Sequence, residues 1–318
     1  MGAPGSSAPQ APDRALPVGT PYLPSGKVSP GGVLVLFGLG GALAWLVGVV
    51  CGLFTDFIWD FWVFPLVCAF GTAFAAIVGI RAGKCRNQAV AAAAALWCVA
   101  CTYGEIHRLK NDAYRSDLRA TLIKDKQATP ETAEAVSHAK ILAEAGSDDF
   151  GSLVRLRARR GLQATSRRSK DGKWTVLSGW GAYLYWIVET GLGALLALFL
   201  AVNFAREPFC EACGRWYEKL EGWGIRPEKQ DALGRALAGK DFAGIHKLVE
   251  DRPGAKDLKI EECPRCPEGP LAVSFELPRP SWKGLRATTA FQEFLQREDA
   301  QRLRTTLPGL RKQAKPPV

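Results

Sequence analysis

The chain has 318 residues, with 41 Lys and Arg against 31 Asp and Glu, a formal charge of +10 and a sequence pI of about 9.2. An apolar share of 47% excludes a wholly disordered polymer, and 9 cysteines without a framework spacing exclude a small secreted disulfide scaffold. A mean hydropathy of −0.02 suits a soluble protein, but it averages over a strong segregation. Apolar residues crowd into Val33 to Ile106 and Ser178 to Phe204, while nearly all charge lies elsewhere. Two solvents are implied, and topological bias of Lys and Arg accounts for the basic balance more simply than nucleic-acid binding.

Residues 1 to 32 are rich in Pro, Gly, Ser and Ala with few large apolar side chains, so they are expected to stay disordered. A membrane-crossing helix needs about 20 mostly apolar residues. Val33 to Phe54, Phe61 to Ile80 and Gly179 to Phe204 meet that requirement; Gln88 to Ile106 meets it more weakly, because Ala89 to Ala95 is mostly alanine. The run from Val33 is too long and too deep in the chain for a signal-peptide core. Trp59, Trp62, Trp174, Trp180, Tyr183 and Tyr185 fall at or near the proposed ends, where aromatic rings anchor spans at the interface. Ala44, Gly48 and Gly52 in the first span, and Gly71, Ala75 and Gly79 in the second, form rows of small residues. Such rows suit packing of the first span on the second, with a homo-oligomer as the alternative.

Arg81, Lys84 and Arg86 mark the connection between the second and third spans as cytoplasmic, and Asp56 and Asp60 leave the preceding one free to lie outside. Four spans then place both termini in the cytoplasm, as in a bacterial inner membrane. Residues 104 to 177 lie outside despite 15 basic against 10 acidic residues, since loops beyond about 60 residues cross largely regardless of charge. Failure of the third span to insert would move this loop inside and the end of the chain outside. Within the loop, Ile106, Leu109, Ala113, Leu118 and Leu122 extend the third span as a helical stalk. Thr129 and Pro130 predict a helix over Glu131 to Glu144, Gly146 stops it, and Ser147, Asp148 and Asp149 open another with Phe150, Leu153 and Val154 on one side. Gly161 to Gly172 reads as loop.

The strongest chemical signal is Cys210-Glu-Ala-Cys213 with Cys263-Pro-Arg-Cys266. Each short pair lets one tight turn present two sulfurs, and two such knuckles close a tetrahedral zinc site. The 49 residues between them (Gly214 to Glu262) exceed a compact ribbon and predict an insertion, read as helices over Pro227 to Ala238 and Asp241 to Val249. Leu271 to Leu277 alternates as a strand, expected to pair near Arg215 to Leu220. Residues 209 to 277 thus resemble a zinc ribbon with a helical insert, a resemblance that implies a metal-stabilised interaction module and no catalysis. Glu189 is the only acidic residue in the fourth span, where a carboxylate normally faces the interior of a bundle; Thr72 and Tyr185 are its expected partners. Cys51, Cys68, Cys85, Cys98 and Cys101 read as small buried hydrophobes.

His107, His138 and His246 show no ligand or triad spacing, and no nucleophile-elbow, phosphate-loop, zinc-protease or dinucleotide motif stands in a usable context. The fold class expected is mainly α: three spans over 33–106, a helical extramembrane loop over 107–177, a fourth span over 178–205, a small zinc-ribbon-like α+β module over 206–280 and a basic tail over 281–318. The tail's Phe291, Leu295 and Leu303 suggest helix, and Arg311, Lys312 and Lys315 suit contact with anionic lipid or nucleic acid. With its two cysteine pairs and several spans, the whole chain resembles bacterial multi-pass membrane proteins that end in a zinc ribbon, a likeness that implies no activity. The functional expectation is a membrane-anchored binding or regulatory module with structural zinc and a cytoplasmic protein partner. The alternative is a small channel or transporter built around Glu189.

Overall fold

The computed structural model describes residues 22–54, 63–164, 175–251, 258–266, 269–281 and 284–307. Most of the expected disordered tail, Asp56, Asp60, Trp59, Trp62, Trp174 and the basic end lie outside them. The chain divides into two units, one of residues 24–206 and one of residues 207–318 with 1–23.

The first unit is helical. Ser29 caps α1 (Pro30–Phe54): the Gly32 amide donates to its Oγ at 3.0 Å, and Pro30 fits the first turn, where no amide partner is needed. Lys27 O accepts from the Arg86 amide at 3.2 Å and from Arg86 Nε at 3.3 Å, so part of the expected tail is tied to the helices. Three further long helices follow: α2 (Val63–Ala82), α3 (Gln88–Lys124) and α6 (Trp180–Phe204). All four are long and apolar enough to cross a membrane. At 37 residues, α3 runs about 55 Å, roughly 25 Å more than a hydrocarbon core. Its apolar first half becomes charged beyond Ile106, as the stalk reading expected.

The second half of α3 packs on α4 (Ala133–Ala145) and α5 (Phe150–Arg160), with Leu118, Leu122, Ile141 and Leu153 at the centre. The α4 start differs from expectation. Thr129 does not cap it; a turn over residues 130–132 intervenes, and Thr132 Oγ1 accepts from the Thr129 amide at 3.0 Å. Asp149 does cap α5, accepting from the Ser152 amide at 2.9 Å. Gly146, at φ +82°, ends α4 in the left-handed region that glycine adopts without strain. The loop expected from Gly161 contains strand β1 (Leu162–Ala164), paired antiparallel with β2 (Thr175–Leu177).

The small-residue rows both face other helices, but the partner of the first row is α3. A Cβ at Gly48 would lie 2.6 Å from the Thr102 carbonyl oxygen, and one at Gly52 would lie 2.6 Å from Leu109 Cδ1. The second row faces α1: a Cβ at Gly79 would meet Leu36 O at 2.8 Å, and one at Gly71 would meet Val47 Cγ1 at 2.8 Å. Along α3 the first row therefore faces Thr102, Glu105 and Leu109, and nearer the start of that helix Ala91, Ala94 and Ala95 are fully buried. The Thr102 hydroxyl then donates to Ala44 O at 2.9 Å, and Thr72 donates to Thr102 at 3.0 Å.

The second unit holds strands β3 (Phe209–Cys210), β4 (Arg215–Trp216), β5 (Glu218–Ile225), β6 (Val249–Asp251), β7 (Leu258–Glu262), β8 (Leu271–Ser281) and β9 (Gly284–Leu295). β3 pairs with β4, and the rest form an antiparallel sheet in the order β6-β5-β7-β8-β9. Helices α7 (Gln230–Ala238) and α8 (Arg297–Thr306) contribute Leu233, Leu237 and Leu303 to a core with Trp223, Ile260, Leu271, Val273 and Leu295. Several expectations are corrected here. Leu271 to Leu277 pairs with β7 and β9, not with residues 215–220, because β7 lies between β5 and β8. The second insert helix is a 3-10 turn, Ile245–Lys247, followed by β6. The boundary drawn at residue 281 falls inside the β8–β9 hairpin, and residues 284–295 are strand where helix was expected.

Valine at position 48 should lower the thermal midpoint of the purified protein, overpacking costing about 1–3 kcal/mol. Gly38→Val should be near neutral, since no heavy atom lies within 4 Å of its Cβ position. Hydrogen bonds from Ser147, then from the Ser152 amide and hydroxyl, hold the Asp149 carboxyl below its ordinary range. Its contribution to stability is therefore complete above the free carboxyl value of about 3.9 and is lost as pH falls through the depressed one. Amide exchange in the first turn of α5 should accelerate over that acid window in the native protein and be already fast in Asp149→Ala.

Candidate metal centre

Both cysteine pairs sit in turns between antiparallel strands. Cys210 ends β3, and the chain reverses to β4 through Cys213 and Gly214, whose amide donates to Cys210 O at 2.8 Å. Gly214, at φ +61°, takes a conformation that a side chain would strain. Cys263 follows β7, and the chain passes Cys266 before returning as β8. There the Cys266 amide donates to Cys263 O at 3.1 Å, and the Gly269 amide donates to Cys266 O at 2.8 Å. A Cβ on Gly269 would come within 3.0 Å of Cys266 O, so glycine permits this second turn to close.

The two turns bring Cys210, Cys213, Cys263 and Cys266 together with all four sulfurs within 4.8 Å of one another. Cys210 and Cys266 Sγ are 3.9 Å apart, and Cys213 and Cys266 Sγ are 2.8 Å apart. A tetrahedron with metal–sulfur bonds of about 2.3 Å has edges of about 3.8 Å, so the group could hold one metal ion. The thiols are not equivalent. Burial opposes ionisation of Cys210, but the Cys213 amide and hydrogen bonds with the other three thiols outweigh it and hold its pKa below the ordinary value. Burial pushes Cys263 up. Cys266 is pushed up to about 12, first by its hydrogen bond with Cys213 and then by burial. Four thiolates would fill a tetrahedral shell, leaving no position for water; such a site stabilises a fold.

Sequence reasoning missed the brace behind the second turn. Arg304, on α8, donates through Nη1 to Gly269 O at 2.9 Å and lies 3.4 Å through Nη2 from Glu262 Oε2. Glu262 and Arg304 are both buried, so one guanidinium neutralises the carboxylate before Cys263 and fixes the carbonyl after Cys266. Beside the first turn, Phe209 meets Trp216 edge-on at 5.0 Å, and Tyr217 lies 6.1 Å from Phe294. Trp216 lies in β4, and Tyr217 lies between β4 and β5.

Glu189 lies in α6, in the helical unit, and is buried. Tyr103 donates to its backbone carbonyl at 3.3 Å, and the Lys110 charge acts on its carboxylate. Tyr185 lies within range of that carboxylate's charge. Thr72 is not its partner: the Thr72 hydroxyl donates to Cys68 O at 2.7 Å and to Thr102. Cys51, Cys68, Cys85 and Cys98 are buried, and Cys101 is half-buried.

In comparison with known proteins, no family profile, curated protein or solved structure matches the chain.

Removing the Arg304 brace should weaken metal binding by about 10–100-fold, the usual consequence of losing an outer-shell partner. Chelator competition on Arg304→Ala, with Arg302→Ala as the exposed neighbour, reads this directly.

Proposed function

We propose that this chain is an integral membrane protein whose C-terminal unit is a zinc-ribbon-like module, held by one structural zinc ion and serving as a cytoplasmic binding or regulatory platform. The observation that carries the reading is the convergence of four cysteine sulfurs within 4.8 Å. Soft thiolate ligands in a tetrahedral set favour zinc among the common divalent ions. A reducing compartment keeps four such thiols unoxidised, which supports a cytoplasmic placement and, with four spans, both termini inside. The four apolar helices support residence in a bilayer. A shell of four thiolates has no position for water or substrate, which favours a binding role over catalysis at this site. The partner is a cytoplasmic protein.

One observation favours a second reading, a small channel or transporter. Glu189 is buried in the helical unit with the charge of Lys110 acting on it, and ionisable residues within spans commonly mark ion or proton pathways.

Elemental analysis of the purified protein should find about one zinc per chain, the stoichiometry of a closed four-thiolate site. A quadruple Cys-to-Ser variant at 210, 213, 263 and 266 should lose that zinc and the fold of the C-terminal unit while its spans still insert. Zinc-free protein prepared under reduction would overturn the module. Glu189→Gln should leave assembly and zinc content intact; loss of ion flux in proteoliposomes in that variant alone would establish the second reading.

A further inference from the structure

The arginines around α5 differ in what they touch. Arg160 pairs with Glu144, Arg115 pairs with Asp148, and Arg155 donates to Ser152 Oγ at 2.7 Å. Arg157 has no carboxylate among the described residues. Its one hydrogen bond there is from Nη1 to the neutral Asn111 Oδ1 at 3.2 Å, and its guanidinium lies 5.6 Å from the Trp186 ring centre. Arg157 is half-buried, and that burial pulls it down to about 10, as for a cation partly withdrawn from water with no counter-ion among the described residues. Such an arrangement is costly unless an anion completes it.

A second group beside it is also incomplete. His107 Nδ1 is buried and has no hydrogen-bond partner among the described residues. The ring meets Trp186 edge-on at 5.1 Å and Phe150 at 6.4 Å. The charges of both Arg157 and Lys110 act on it, so the local field is positive. Asn111 spends its carbonyl on Arg157, which leaves its amide hydrogens as donors. Arginine retains a fork of donors beyond Nη1, the geometry that matches two oxygens of one phosphate.

The position of these groups along the chain favours a lipid headgroup as the source of the anion. His107 directly follows Ile106, where the apolar half of α3 ends. Trp186 lies in the second turn of α6, on a helix whose outward residues Trp180, Leu184 and Ile187 are exposed at 85%, 62% and 64%. Two apolar helices thus change character at this level, which is where lipid phosphates lie and where Trp and Tyr collect.

We propose that Arg157, His107 and Asn111, walled by Trp186, bind a phosphate group, the chemistry shared by an anionic phospholipid headgroup and free phosphate. Arg157 supplies the charge and a two-point contact, His107 and Asn111 supply neutral donors, and the indole excludes water. The lipid source rests on the membrane reading of the helical unit; the phosphate chemistry does not.

Native mass spectrometry of the full chain in detergent, titrated with phosphatidylglycerol or with a galactosyl diacylglycerol that lacks phosphate, tests this. Wild type should hold the phospholipid about 10-fold more tightly, and Arg157→Gln should abolish the difference, as expected for a charge-assisted pair. Arg159→Gln, at an exposed position, should leave it unchanged. His107→Phe keeps the ring contact with Trp186, should weaken retention about threefold by removing one donor, and carries the test if Arg157→Gln does not fold. Inorganic phosphate distinguishes the sources: Arg157-dependent binding of the ion in calorimetry assigns a free anion, whereas its absence with lipid selectivity assigns the headgroup. Equal retention of both lipids by wild type without phosphate binding overturns the site, as does selectivity unchanged in either variant. Carbonate extraction of membranes reports separately on the spans, so an inserted protein that ignores phosphate sinks this site alone.

Discussion

The helical unit depends on how closely α1 approaches α3. At Gly48 the distance from a hypothetical Cβ to the Thr102 carbonyl oxygen, 2.6 Å, is shorter than real side chains tolerate. Close backbones bring dispersion contacts and hydrogen bonds that bulky side chains would prevent. The Thr102 hydroxyl can therefore reach Ala44 O across the seam, and Thr72 joins from α2. With α3 set between its neighbours, its polar extension is aimed, and the small core of Leu118, Leu122, Ile141 and Leu153 assembles on it. The placement of α5 follows from that assembly, and with it the juxtaposition of Arg157 and Trp186.

The second unit solves a different problem. Its four clustered cysteines come from two turns separated by a long insertion, and the sheet bridges that distance. β5 follows β4 out of the first turn, β7 enters the second, and the two are hydrogen-bonded neighbours with Glu218 opposite Glu262. That pairing brings the two turns to the same end of the strands. Arg304 extends the same logic outward, tying the last described helix to the turn around Cys263 and Cys266. The fold and the ligand set are thus mutually supporting: the sheet gathers the thiols, and a bound ion would hold the strand ends together.

How much of this could be read from the residues depended on distance along the chain. The cysteine pairs were recognisable because two sulfurs three residues apart express a local turn. Apolar length was equally direct evidence for the four long helices. The partner of Gly48 was not readable: a row of small residues announces a close approach but not which helix makes it, and here it is the Thr102 backbone of α3. Residues 284–295 were misread for a related reason. Phe291 and Leu295 stand four apart, as on a helix, but β8 offers a full-length partner, and strand preference follows such context more than the residues themselves. β8 continues past Leu277 through Pro278 and Pro280. Both lie beyond the stretch paired with β7, where only β9 is bonded, so a missing amide is tolerated. Arg304 could not be anticipated, since its contacts with Glu262 and Gly269 required that hairpin to be known first.

The separation of the two knuckles also has a consequence in time. Cys210 leaves the ribosome 53 residues, and Cys213 50 residues, ahead of Cys263, an interval of about 3–10 s at ordinary elongation rates. Throughout it the nascent chain displays only two of the four sulfurs. An ion held by all four would therefore be captured late in biosynthesis, after emergence of the last long helix rather than guiding it.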